Sequence, residues 1–433
     1  MGHTPLAATP DPAVRPALDF LTDLFRDYRP RDFAVRFWDG TTWEPEYGQP
    51  ARFTICPRHA GAVRRMFWPP NQYSFGEAYV YDDYDIEGDV LAFCRVVNYL
   101  RGLTPGFRRK LHLGWRVYRL PAAGPDHTGL RMARLSGARH SPERDRQAVS
   151  FHYDVSNDFF RLWLGRRMVY SCAYFSHPDE DLDAAQERKL DYICRKLRLR
   201  PGERLLDIGC GWGGLVTHAA QRYGVEAVGI TLSERQAEYA AEHVRAAGLE
   251  GRCRIEYRDY REATGQFDKL VSVGMCEHVG AALMPTYFRS AWNLLRPGGA
   301  FLNHGIALAG TLREARGKPF SDRHVFPDGE LVPISATLRA AEELGFEVRD
   351  VENLREHYVL TLERWVRGLE ANADEARRLT DDTTYRVWRL YMAGAANGFR
   401  RGDATLCQSL LVKPDGGRSG LPLTRADWYA AGG

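Results

Sequence analysis

The 433-residue chain has no apolar run of the ~18 residues that a helix needs to span a bilayer, so no membrane crossing is expected. Its start lacks a basic stretch followed by an apolar one, so no secretory leader is expected and the cytoplasm is the expected compartment. Cysteine is scarce: eight residues, at 56, 94, 172, 194, 210, 253, 276 and 407, with no C-x-x-C pair and no histidine cluster at zinc spacing. That pattern argues against a disulfide framework and a bound metal, and leaves reduced, largely buried thiols as the expectation. Neither sign of charge dominates, with 59 Lys and Arg against 56 Asp and Glu, so the balance by itself selects no partner. No recognised nucleic-acid-binding motif is present, and no nucleic-acid partner is expected. There is no internal repeat.

What is present is the composition of a globular protein, 44% apolar and 27% charged, on a chain long enough for two domains. The charge is unevenly spread. Between Arg101 and Arg146 stand eleven basic residues, among them Arg108, Arg109, Lys110, Arg116, Arg119, Arg131 and Arg134, opposed only by Asp126, Glu143 and Asp145. Leu111, Leu113, Trp115, Val117, Tyr118 and Leu120 are interleaved with the first half of this run. Such a stretch suits an anionic membrane surface, and equally a solvated Arg-rich linker.

Residues 1 to 13 are rich in Pro and Ala and are expected to be disordered. Leu18, Leu21, Leu24, Phe25 and Tyr28 then recur at helical spacing. Val35 to Trp43 reads as a hairpin turning at Asp39-Gly40, Ala51 to Cys56 as a strand and Leu91 to Leu103 as a helix. A small α+β domain over 14–121 and a loose, basic linker over 122–146 follow from this. Thereafter strands and helices alternate. The strands are expected at Arg204–Ile208, Ala227–Thr231, Arg254–Tyr257, Lys269–Val273, Ala300–His304, Val348–Asn353 and Leu406–Val412. Helices are expected at Leu182–Leu197, Gly213–Arg222, Ser233–Ala247 and Met284–Leu295. The alternation predicts a parallel α/β sheet covered on both faces, in a domain over 147–413 with a tail over 414–433.

Leu205-Leu-Asp-Ile-Gly-Cys-Gly-Trp-Gly-Gly214 joins the first of these strands to its helix. Gly209, Gly211 and Gly213 allow a tight turn and a close approach of backbone to a ligand. Asp207, two residues before the first glycine, stands where methyltransferases place an acid facing the cofactor. The next strand ends in Gly229-Ile-Thr-Leu-Ser233 and lacks the acidic residue ~20 positions on that would hold the ribose of a nicotinamide dinucleotide. The expected fold is therefore a Rossmann-like class I methyltransferase seven-stranded sheet with a smaller N-terminal α+β domain.

Longer motifs narrow this further. His152-Tyr-Asp-Val-Ser-Asn-Asp-Phe-Phe160, Met168-Val-Tyr-Ser-Cys-Ala-Tyr-Phe175, Gly209-Cys-Gly-Trp-Gly213, Gly229-Ile-Thr-Leu-Ser233 with Gln236, and Ser272-Val-Gly-Met-Cys-Glu-His-Val-Gly280 occur in that order. Together they resemble the cyclopropane-fatty-acyl-phospholipid synthase family over about residues 145 to 413, and Phe75-Gly-Glu-Ala-Tyr79 and Asp85-Ile-Glu-Gly-Asp89 extend the likeness more weakly into the N-terminal region. The resemblance implies that the methyl carbon of S-adenosylmethionine is transferred to the cis double bond of an unsaturated acyl chain of a phospholipid. The ring then closes through a carbocation by loss of a proton to a bound bicarbonate. It implies bicarbonate ligands at Cys172 (through its backbone), Glu277, His304 and Tyr358, with Ile306 alongside. It implies cofactor contacts at Tyr170, Ser171, Asp207, Gly209, Gly211, Gly213, Thr231, Gln236 and Tyr260. A homodimer and peripheral contact with the membrane, aided by the N-terminal domain, are implied as well.

The residue types suit that chemistry. An unactivated alkene is a weak nucleophile, so orientation and exclusion of water carry much of the catalysis. A cationic intermediate is favoured by aromatic faces, which Tyr170, Tyr174 and Tyr358 can offer, and by acceptors such as Glu277. Each residue also has a plainer role open to it: Cys172 as a small buried hydrophobe, Glu277 as a helix cap, His304 as a satisfied core histidine, Tyr358 as packing. The sequence departs from the family pattern at Gly305, where Thr or Ser is common, and over 307–333, which is expected to line the acyl channel. Three other readings remain: a relative leaving a methylene or methyl-branched product, a non-catalytic lipid-binding relative, and a small-molecule methyltransferase.

Overall fold

Alternating burial along the central strands sets the architecture of the larger unit. On β5 (Arg204–Ile208), Leu205 faces one core, while Leu206 and Ile208 face another; on β6 (Glu226–Thr231), Ala227 and then Val228 and Ile230 divide in the same way. A strand with both faces apolar must be covered twice, and helices do so. Leu190, Ile193 and Leu197 of the helix Leu182–Leu197 and Leu215, Val216 and Ala219 of the helix Gly214–Tyr223 fill one side. Tyr287, Phe288, Ala291 and Leu294 of the helix Met284–Leu294 fill the other, with Phe346. The remaining strands are β7 (Cys253–Tyr257), β8 (Phe267–Val273), β9 (Leu295–Leu308), β10 (Glu347–Asn353) and β11 (Ala404–Val412). They form one seven-stranded sheet in the order β10-β11-β9-β8-β5-β6-β7.

This is a computed structural model, and it describes residues 11–429 apart from 47, 72, 123, 126–134, 154 and 310–319. Residues 1–10 of the start expected to be disordered, Arg131 and Arg134 of the basic run, and 310–319 of the expected channel-lining stretch lie outside the described residues. The chain divides into two units, residues 1–131 with 382–394 and residues 132–381 with 395–433.

The seven-stranded class I methyltransferase sheet is present, with each predicted strand in place within a few residues. It is not wholly parallel: β11 runs antiparallel to both β9 and β10. Gly402 at φ +79° and the tight turn around it return the chain into β11 from the helix Asp382–Arg401, a hairpin-like entry that strand spacing alone does not disclose. The helix Pro142–Tyr153 begins inside the stretch read as loose linker. Its turns are stabilised by Asp145 and Arg144 pairing with Arg261 and Asp328, distant partners that a local reading cannot see.

The N-terminal unit holds a four-stranded sheet in the order β2-β1-β3-β4, with β1 (Phe33–Arg36), β2 (Thr42–Trp43), β3 (Phe53–Pro57) and β4 (Tyr84–Gly88). Its core is aromatic: Phe33 stacks on Phe53 at 5.3 Å and Phe75 on Phe93 at 5.5 Å. Part of the helix Asp382–Arg401 belongs to this unit and supplies two buried arginines. Arg386 pairs with Asp82 at 2.6 Å and Asp85 at 3.3 Å and donates to Tyr79 O; Arg389 donates to Tyr79 Oη and Ile86 O. Among the described residues no helix is long and apolar enough to cross a membrane.

Arg386 is 3% exposed, so its removal takes the donor from Tyr79 O and Tyr84 O in the buried core and breaks its pairs with the partly exposed Asp82 and Asp85. We expect Arg386→Met to cost about 2–4 kcal/mol in the N-terminal unit, read as a lowered midpoint in thermal or urea unfolding; an unchanged midpoint would show that these pairs contribute nothing net.

Candidate active site

The loop after β5 needs three left-handed glycines: Gly209, Gly211 and Gly213 have φ of +85°, +55° and +82°. They serve different ends. A Cβ on Gly209 would lie 2.5 Å from Met275 Cγ, and one on Gly213 would lie 2.9 Å from Ala240 Cβ, so both glycines permit close packing. A Cβ on Gly211 would meet no atom within 4 Å, and Gly211 lines a cavity. That cavity lies at the carboxyl ends of the parallel strands, the position where open α/β sheets bind ligands.

Of the residues that the resemblance implies as cofactor contacts, Tyr170, Ser171, Asp207, Gly209, Gly211, Thr231, Gln236 and Tyr260 line this cavity; Gly213 lies behind it in helix packing. Thr231 Oγ1 donates to Gln236 Oε1 at 2.8 Å, fixing the carboxamide at the second strand end. Tyr260 is buried, and its hydroxyl has no protein partner. Asp207 is 2% exposed with Oδ1 unpartnered, and burial pushes its carboxyl up to about 7 against the pull of Lys189.

Lys189 and Gln186 escaped the sequence reading. Both sit on the buried face of the helix Leu182–Leu197, among Leu190 and Ile193. Lys189 Nζ donates to Ser171 Oγ at 2.8 Å and is brought down to about 8 by burial. Gln186 Nε2 holds Ser171 O at 2.9 Å. The available signal was a lysine and a glutamine on an otherwise apolar helical stripe, which a charge count along the chain does not register.

A second group adjoins the cavity wall formed by Val273, Gly274 and Met275. Glu277 follows on the short helix Cys276–Val279, and His304 pairs in register with Val273. Glu277 does not cap its helix: its Oε1 accepts from Ile306 N at 2.8 Å, and Oε2 is buried without a partner. Burial raises this carboxyl to about 7, opposed by the backbone N–H groups of Glu277 and Ile306. His304 is 1% exposed. Gln408 Nε2 donates to His304 Nδ1 at 3.2 Å, which leaves the neutral ring's proton on Nε2, buried and unpartnered. Burial, then the charges of Lys189 and Lys196, hold its pKa well below the ordinary value.

Cys172 joins the same sheet end through its thiol and Tyr358 through its backbone. Cys172 Sγ approaches Leu354 O at 3.8 Å, Leu354 N donates to Leu406 O at 2.8 Å, and Leu406 is the register partner of Ile306. Tyr358 lies one turn beyond Leu354 on the helix Arg355–Ala371. Burial pushes the Cys172 thiol far up, so it is a neutral thiol and no nucleophile. Aromatic rings connect this group to the cavity: Trp365 lies 5.2 Å from Tyr170 and 6.0 Å from Tyr358, which in turn lies 4.8 Å from Phe399. None of Cys172, Glu277, His304, Ile306 and Tyr358 lines the cavity itself. The eight cysteines are all buried and unpaired.

A seven-stranded sheet with a glycine turn, a buried acid before it and a cavity at the strand ends defines a class I S-adenosylmethionine-dependent methyltransferase. Comparison with known proteins is more specific: the family model for mycolic acid cyclopropane synthetase matches residues 140–409, and the chain belongs to this family. It is 39% identical over 405 residues to a protein of Pseudomonas putida named "Probable fatty acid methyltransferase", covering 91% of this chain and 95% of that one. It is 38% identical over 296 residues to the cyclopropane-fatty-acyl-phospholipid synthase of Escherichia coli, covering 67% and 75%. Among solved structures, mycolic acid cyclopropane synthase CmaA1 complexed with SAH and CTAB matches at a TM-score of 0.59 and 35% identity, over 61% of this chain and 97% of that one.

The cavity residues fit S-adenosylmethionine: an open space over Gly211, unpartnered Asp207 Oδ1 and Tyr260 hydroxyl, and a buried ammonium at Lys189 offer acceptors, a donor and charge to its amino acid and nucleoside ends. We expect Gly211→Ala to keep the fold to within about 1–2 kcal/mol, the cost of a non-glycine left-handed residue, yet to weaken cofactor binding roughly tenfold or more by calorimetry. Gly213→Ala should instead lower stability through its clash with Ala240. Equal cofactor affinity in Gly211→Ala and the parent protein would remove this cavity from consideration.

Proposed function

We infer that this methyltransferase acts on the cis double bond of an unsaturated acyl chain of a phospholipid and closes it to a cyclopropane. The observation that supports this most is the pair of buried, unpartnered groups at the strand ends: an acceptor at Glu277 Oε2 and a donor at His304 Nε2. Groups so costly to bury without partners are retained where a ligand completes them. Tyr170, Trp365 and Tyr358 form a run of packed rings, a surface suited to an apolar chain that develops positive charge.

S-adenosylmethionine, when bound, supplies an electrophilic methyl on a sulfonium. The residues of the chain do the rest. Tyr170 and Trp365 exclude water and present aromatic faces beside the acceptor carbon. Bicarbonate fits the donor set, with His304 Nε2 donating to it and Glu277 Oε2 accepting from it, and when bound it would supply an oxygen base. The bond from Ile306 N fixes the Glu277 carboxyl so that only Oε2 is available. In this reading Cys172 and Ile306 flank the same site, and Tyr358 offers a phenol to it.

A second reading keeps the same acceptor but ends in a methylene or methyl-branched chain. It is favoured by the full-length likeness to the Pseudomonas putida protein named as a probable fatty acid methyltransferase. From the shared cation, loss of a proton from the new methyl closes the ring. A methylene chain needs a 1,2-hydride shift before that proton leaves, and a methyl-branched alkene follows loss of a proton from a neighbouring chain carbon. Incubation with methyl-labelled S-adenosylmethionine and vesicles of cis-unsaturated phospholipid, followed by mass spectrometry and proton NMR of the fatty acids, separates them. Upfield ring protons mean a cyclopropane and vinylidene protons a methylene chain, and no label in lipid would overturn both.

Because burial lifts Glu277 to about 7, its acceptor form accumulates as pH rises through that value. We expect kcat at saturating cofactor to rise across the same range and Glu277→Gln to flatten the profile while lowering kcat by roughly 10²–10⁴. His304→Ala should also lower kcat, with cofactor affinity within about threefold of the parent in both variants. Full turnover in either would take that residue out of the chemistry.

A further inference from the structure

The helix Phe107–Arg119 of the N-terminal unit buries one face and leaves another in water that its side chains do not suit. Leu113 and Val117 are buried, while Arg109 and Arg116 pair with Asp27 and Asp23 of the adjoining N-terminal segment. On the outer side Phe107, Leu111, Trp115 and Tyr118 are 76%, 58%, 56% and 57% exposed. At the helical rotation per residue these four fall within an arc of roughly 80°, a continuous stripe. Trp68 extends it, its ring 5.7 Å from that of Tyr118. Half of the ten large apolar side chains exposed among the described residues thus lie in one patch. Scattered exposed apolar residues are ordinary; a contiguous stripe marks an interaction surface.

The charge around the stripe is of one sign. Arg108 and Arg119 run along one edge and Lys110 along the other, no acidic residue occurs in the helix, and none of the three has an ion-pair partner among the described residues. The guanidinium of Arg119 lies 4.7 Å from the ring of Trp115 and that of Arg64 lies 5.0 Å from Tyr118, which keeps cations at the rim of the aromatic strip. A second copy of the chain seated here by two-fold symmetry would set these unopposed cations against one another.

We propose that this face docks the protein on an anionic lipid bilayer, with Phe107, Leu111 and Trp115 entering the headgroup boundary and Arg108, Lys110 and Arg119 meeting lipid phosphates. Trp and Tyr favour that boundary because one edge of each ring is apolar and the other polar. A helix lying in the plane of the interface needs an apolar strip and cationic flanks rather than length. The inference rests on the reading that the acyl acceptor belongs to a bilayer phospholipid, since docking then serves catalysis; its test does not need a double bond.

The full chain is sedimented with saturated-chain vesicles of phosphatidylcholine alone or mixed with phosphatidylglycerol. The parent protein should bind the mixed vesicles, less so as salt is raised. Phe107→Ser/Leu111→Ser/Trp115→Ser should bind roughly tenfold or more weakly, and Arg108→Glu/Lys110→Glu/Arg119→Glu should lose the preference for phosphatidylglycerol. Both variants alter exposed residues and should keep the parent's thermal midpoint and cofactor affinity. Vesicle binding by either variant equal to the parent's, absence of binding by the parent, or a change of oligomeric state in light scattering without a change in vesicle binding would each overturn the proposal. Vesicle binding by the parent without methyl transfer to any unsaturated lipid would count against the acceptor reading alone.

Discussion

The hydrogen bond from Ile306 N–H to Glu277 Oε1 ties together two strand ends that the sheet by itself would leave open. Glu277 leaves β8 on a short helix, whereas Ile306 continues along β9 past the point where the two strands pair. Once that bond is made, one carboxyl oxygen is satisfied and the other is committed to face inward without a partner. The neighbouring Gln408 acts on His304 in the same way, occupying Nδ1 and leaving Nε2–H as the free donor. Two ordinary contacts thus convert two polar side chains into an acceptor and a donor that only a further molecule can satisfy. Their cost in stability is the usual one for desolvated polar groups, and the rest of the sheet has to offset it.

The cofactor cavity works by a related device. Asp207 and Lys189 are both withdrawn from water, and each is moved toward its neutral form by burial. Their mutual attraction opposes that movement, so the cavity contains charge that is weakly solvated and open to a zwitterionic amino acid group. Ser171, held by both Lys189 and Gln186, links this charge to the Tyr170 segment, whose aromatic ring reaches toward Trp365 and so toward the second group. The cavity and the second group are therefore connected through packed side chains, not merely placed near one another.

The family fixes the electrophile and the class of acceptor but leaves the product open. Relatives named as cyclopropane synthases and as fatty acid methyltransferases match this chain at similar identity, 38% and 39%, and the possible products diverge from one cation by whether a hydride shifts and which carbon gives up its proton. Such a choice depends on the position of a base relative to one carbon. That is a matter of small displacements within a shared scaffold, and shared motifs do not decide it.

The strands, the glycine turn and Asp207 were legible because each leaves a local signature: β-branched and apolar runs, glycines at fixed offsets, an acid at a fixed distance. The family resemblance named Glu277, His304 and Tyr358, and the order of the motifs was enough for that. Local reading did not reveal the antiparallel entry of β11, the helix Pro142–Tyr153 within the supposed linker, or the buried Lys189. Each depends on a partner far away in sequence: β9 for β11, Arg261 and Asp328 for the helix, Ser171 for the lysine. The sequence by itself therefore determined the fold class and the cofactor, since short-range patterns carry both. Only the tertiary structure decided which oxygen of Glu277 and which nitrogen of His304 remain unpaired, and which face of the helix Phe107–Arg119 stays in water, because burial and hydrogen-bond partnership are properties of residues brought together from distant parts of the chain.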